Sequence, residues 1–89
     1  MDFREFVFEK LVSDELLKNY NIDFNELDDP DYDCESNIPE EVCSNKVYKG
    51  SVSIYKNDTN KPRYFKFTFD THENNPIENI FKFKEVTSL

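Results

Sequence analysis

The chain has 89 residues and a mass of 10.7 kDa, enough for one domain, 1–89, with a small core. It carries 11 Lys+Arg against 19 Asp+Glu, a formal net charge of −8 and a pI of about 4.5. No apolar run reaches the roughly 18 residues of a membrane span; no basic patch dominates, which argues against direct nucleic-acid contact; and nine Phe with five Tyr argue against full disorder.

Residues 2–20 read as helical. Phe3, Phe6, Val7 and Leu11 share one face at 3.6 periodicity, whereas Leu16, Leu17 and Tyr20 fall on another. The phase slips near Ser13-Asp14, where Ser13 can cap a new turn. The pattern predicts one kinked helix or two short ones, with Phe8 outside the main stripe and exposed.

Residues 21–45 form an acidic connection. Residues 21–43 hold nine acids and no Lys or Arg. Ile22, Phe24, Leu27, Tyr32, Ile38 and Val42 are its scattered apolar anchors, and Pro39-Glu40-Glu41 can open a helical turn. Residues 1–45 hold 14 acids and 3 bases, whereas residues 46–89 hold 5 acids and 8 bases. Such an asymmetry marks a face.

Residues 46–70 alternate with period 2. Tyr48, Val52 and Ile54 alternate with Val47, Lys49, Ser51, Ser53 and Tyr55; Phe65, Phe67 and Phe69 alternate with Tyr64, Lys66 and Thr68. With the turn-forming cluster 57–62 between them, they predict an antiparallel hairpin. Asn75-Pro76-Ile77-Glu78 reads as a helix start, and Phe81-Lys82-Phe83-Lys84 as a strand within 80–87. The expected class is α+β: an N-terminal helical segment packed on a small three-stranded antiparallel sheet. A single Gly among 89 residues leaves positive-φ positions to Asn and Asp.

Residues Asp29–Glu40 place carboxylates at positions 1, 3, 5 and 12 of a calcium-loop pattern. Cys34 replaces the glycine that the sharp bend needs, and Pro39 stands where the exiting helix should form. A solvated acidic segment is the preferred reading. The spacing permits a Cys34–Cys43 disulfide, but Met1-Asp2-Phe3-Arg4-Glu5 shows no leader pattern, which predicts a cytoplasmic protein with reduced thiols. Two Cys with His72 fall short of a four-ligand zinc set. Acids around both cysteines raise their thiol pKa values and argue against a cysteine nucleophile. One Gly allows no phosphate-cradling loop. The expectation is therefore no enzyme: no catalytic residue, no cofactor and no metal.

Lys46, Lys49, Lys56, Lys61, Arg63, Lys66, Lys82 and Lys84 interleave with Tyr48, Tyr55 and Tyr64, a combination found on single-strand-binding sheets. The acid excess makes a solvent-facing role for these lysines the preferred reading.

The acidic tract is left as the feature that points to function. A dense row of carboxylates fits a surface built for phosphates, with the same steering and counterion release. In size, charge and make-up the chain resembles the phage and mobile-element inhibitors that mimic DNA, of the anti-CRISPR, anti-restriction and uracil-glycosylase-inhibitor kinds. The resemblance is one of class. It implies a protein partner with a basic nucleic-acid-binding surface, no membrane and no direct nucleic acid. Asp23, Phe24, Glu26, Asp28, Asp29, Asp31, Tyr32, Asp33, Glu35, Glu40 and Glu41 are the candidate contact residues, with Phe24, Leu27 and Tyr32 as apolar anchors. Two other readings stand beside it. One is an immunity protein or antitoxin against a basic nuclease. The other is an assembly subunit binding by strand addition through Tyr48–Tyr55 or Phe81–Val86. Exposed edges and aromatics also fit a homodimer.

Overall fold

The computed structural model describes residues 3–38, 47–58, 61–70 and 76–87. One continuous N-terminal helix occupies 3–20: α-helical over Phe3–Phe6, π-helical over Val7–Val12 and α-helical again over Ser13–Tyr20. The wider central turn, closed by the Ser13 N–H to the Phe8 carbonyl, absorbs the phase slip in the sequence. The backbone neither breaks nor starts anew at Ser13. Val7, Val12 and Leu16 consequently share one buried face although they are spaced five and then four apart. Leu17, grouped with Leu16 by the sequence, turns outward at 54% exposure. Phe8 is not exposed; it is half-buried, edge-on to Phe24 with ring centroids 5.0 Å apart. The helix ends at Asn21 in the left-handed region (φ 56°), where both Asn21 and Ile22 donate to the Leu16 carbonyl. Asn thus fills the position that glycine usually fills.

The sheet has four antiparallel strands, not three, in the order β1-β2-β3-β4: β1 Tyr32–Asn37, β2 Val47–Lys56, β3 Arg63–Asp70 and β4 Lys82–Val86. The additional strand comes from the acidic segment. A 3-10 turn, Phe24–Asp28, capped by the Asp23 carboxylate accepting the Asn25 N–H, leads into it. β1 then pairs along β2 from Tyr32↔Lys56 to Asn37↔Ser51. β2 ends at Lys56 and β3 begins at Arg63, and the two pair as the antiparallel hairpin expected from sequence. A helical turn, Ile77–Ile80, precedes β4, with Pro76 one place before its first residue.

The helix covers one face of the sheet. Val7, Val12 and Leu16 pack against Val52, Ile54, Phe65, Phe67 and Phe69, all essentially sealed from water. Each such side chain contributes about 1.5–3 kcal/mol by burial. Ring pairs extend the layer: Tyr20 stands edge-on to Phe65 at 4.9 Å, and Phe65 stacks on Phe83 at 5.3 Å. Gly50 lies on this face beneath Phe67. A Cβ there would meet the Phe67 ring at 2.2 Å and the Asn37 carbonyl at 2.7 Å, so the only glycine sits where its missing side chain makes room.

Candidate functional site

The 3-10 turn and β1 bring the acids to one edge of the sheet. Glu26, Asp28, Asp29, Asp31, Asp33 and Glu35 are all exposed, and Asp23 is half-buried. Along β1, Tyr32 and Cys34 face the core while Asp33 and Glu35 face outward, about 6.8 Å apart on an extended strand. Three of the acids also shape the backbone. Asp23 caps the 3-10 turn, Asp29 Oδ1 accepts the Asp31 N–H at 3.1 Å, and Asp33 Oδ1 accepts the Cys34 N–H at 2.8 Å. Among the described residues, no ion pair neutralises any of these acids. Glu40 and Glu41 lie outside the described residues.

The predicted anchors are directed inward. Leu27 is buried, and Phe24 and Tyr32 are half-buried in contact with the core cluster. They fasten the acidic segment to the sheet instead of standing out as contact points. Lys56 lies over the Tyr32 ring, 5.6 Å from its centroid.

The calcium-loop pattern is also recast. Its residues 32–37 form an extended strand, so side chains three to five apart along it do not wrap a common centre. Among the described residues no group of three or more His, Cys, Asp or Glu side chains converges. Cys34 is a free thiol; burial first, then Asp33 and Glu35, push its pKa up to about 11. Cys43 and His72, the other halves of the disulfide and Cys/His readings, lie outside the described residues.

A cavity of about 260 Å³ opens between the helix end and the β2–β3 hairpin, lined by Tyr20, Ile22, Glu26, Tyr32, Lys56 and Arg63 among others. Two of its cations, Arg63 and Lys56, are engaged. Arg63 binds Glu85 in two parallel hydrogen bonds of 2.8 and 2.9 Å, and Lys56 pairs with Asp58 at 3.9 Å. The hydrogen bonds to Glu85 raise the Arg63 pKa, and Arg63 lowers that of Glu85.

Both sheet edges carry a backbone donor that is already satisfied. The Asn57 N–H bonds the Asp31 carbonyl, so the antiparallel alternation turns the backbone groups of Tyr32, Cys34 and Ser36 away from β2. Asp33 occupies the Cys34 donor among them. On β4, the Glu85 N–H donates to the Tyr20 hydroxyl at 3.1 Å. Within the stretch Tyr48–Tyr55, residues 51–54 are paired on both sides, to β1 and to β3, and so are not an open edge. No protein-family model, curated protein or solved structure matches the chain. Among the described residues, no helix is long and apolar enough to cross a membrane.

Proposed function

We propose that the protein is a small non-enzymatic inhibitor that lays its acidic edge into the basic nucleic-acid cleft of a target enzyme. The observation that carries this reading is the single exposed edge built by the 3-10 turn and β1. There Glu26, Asp28, Asp29, Asp31, Asp33 and Glu35 stand exposed, and among the described residues no ion pair neutralises them. Duplex DNA offers one charge per about 1.7 Å of axis to such a cleft, and a rigid carboxylate row competes for the same cations. Inhibition is steric and electrostatic, with no bond made or broken. Since Phe24, Leu27 and Tyr32 pack inward, charge carries most of the contact and the anchors supply rigidity. The capped donors at Cys34 and Glu85 favour contact through side chains over strand addition. A phage or mobile-element inhibitor and an immunity protein against a nuclease toxin both use this chemistry, and the neighbouring genes distinguish them.

The test uses two baits in the native host extract: the wild-type protein and a variant with Asp28, Asp29, Asp31 and Asp33 each changed to Asn. Asn preserves the local turn bonds and removes four charges. A nucleic-acid enzyme held by the wild type at about 0.1 M salt, shed at about 0.5 M and absent from the variant is the expected result. Identical partners on both baits would refute the reading.

A further inference from the structure

The face of the sheet turned away from the helix has a layout that the total charge conceals. Its acids are Asp33 and Glu35 on β1 and Asp70 at the end of β3. Its lysines, Lys49, Lys66, Lys82 and Lys84, are exposed together at the other side. The register sets Lys66 directly opposite Lys84, and Thr68 between Lys49 and Lys82. Adjacent strands lie about 4.8 Å apart and successive outward residues about 6.7 Å apart, so the four ammonium groups fall within one small patch. Among the described residues, none of the four forms an ion pair. A directly opposed lysine pair is unfavourable in the free protein, and a polyanion relieves it.

Half-buried Tyr64 stands in the next row, between Ser53 and Val86, with Tyr55 beside it on β2. An aromatic ring next to a lysine cluster on an open antiparallel sheet offers stacking for a base and cations for its flanking phosphates. A duplex keeps its bases stacked inside and cannot use the ring.

We propose that the outer face of β2, β3 and β4 around Thr68 binds a short stretch of single-stranded nucleic acid, with Lys49, Lys66, Lys82 and Lys84 on the phosphates and Tyr64 under a base. This site is separate from the acidic edge. The −8 net charge is set mostly by acids away from this patch; among the described residues, Asp70 at the end of β3 is the one acid on the outward face of β3 and β4.

The test is fluorescence anisotropy with a labelled twelve-nucleotide oligo(dT), using unlabelled duplex and polyglutamate as competitors. With four phosphate contacts the log–log salt slope is at most about −2.8, so a fourfold rise in salt weakens binding by up to about 50-fold. Lys66→Gln with Lys84→Gln lowers the slope to about −1.4. Tyr64→Leu weakens binding about tenfold with the slope unchanged. Amide NMR spectra confirm that the variants fold. The fourfold Asp→Asn variant binds the oligonucleotide at least as well as wild type, so failure of the acidic-edge reading leaves this one standing. No binding at about 50 mM salt, equal competition by polyglutamate, or an unchanged slope in the double Lys→Gln variant would each overturn the proposal.

Discussion

The two faces of this sheet obey different rules. On the helix side, Val52, Ile54, Phe65, Phe67 and Phe69 admit essentially no water and are fixed by volume and shape. On the open side, residues one position away in sequence are polar: Asp33 and Glu35 stand on β1, Asp70 ends β3, and the lysines gather toward β4. A one-residue alternation therefore separates what holds the fold from what is available to a partner. Substitutions on the first face should cost stability, whereas those on the second and along the acidic edge should change binding.

Phe65→Ala tests the first half most severely. It removes a fully buried ring that contacts Tyr20 and Phe83, and should cost about 3–5 kcal/mol, comparable to the whole stability expected of a domain this size. Loss of the cooperative urea transition is the readout. Gly50→Ala should follow, at about 3 kcal/mol, because Phe67 must leave its position to admit a methyl group. A Gly50→Ala protein as stable as wild type would mean that the Phe67 ring is free to move.

Cys34 marks the border between the two rules, with its side chain toward the core and acids on either side. A pKa of about 11 makes its alkylation at pH 8 on the order of 100-fold slower than that of an ordinary thiol. Measured in a Cys43→Ser background, the rate should climb through pH 11. Because the folded pKa is raised, this thiol's contribution to stability is complete below about pH 8.5 and fades as pH rises toward 11.

Glu85→Gln has the smallest effect on stability. The Arg63 pair is more than a third exposed at both ends, so solvent screening limits its loss to about 0.3–1 kcal/mol. Glu85 has a lowered folded pKa, so its contribution is present above about pH 4.3 and is lost as pH falls through the folded value. The variant should lose less stability on acidification than wild type; a parallel acid profile would remove the pair from the account.

The contrast between regions also explains what the sequence made readable. The Phe65-Phe67-Phe69 alternation and its partner run identified β2 and β3, because a half-buried strand writes its period into the chain. β1 escaped notice. In Tyr32-Asp33-Cys34-Glu35 only alternate residues are half-buried, and Ser36 and Asn37 are exposed, so the edge strand lacks a strong apolar signal and its acids resemble a loop. The helix phase slip was visible at Ser13, but the π-helical turn that absorbs it has no sequence mark of its own. The exposed acids of the candidate edge were legible as charge. The inward packing of Phe24, Leu27 and Tyr32 was not, because an apolar residue in an acidic segment reads the same whether it anchors the segment or contacts a partner. The lysine cluster was legible residue by residue; its cross-strand pairing required the register of β4.

The central claim is that the acidic edge takes the place of nucleic acid. It is tested most directly on an enzyme captured by the wild-type bait, with labelled duplex DNA already bound and the protein titrated in. The account predicts that DNA and protein exclude one another, that displacement weakens steeply with salt, and that the Asp28, Asp29, Asp31 and Asp33→Asn variant displaces little. A stable complex of all three, or equal displacement by the variant, would contradict it.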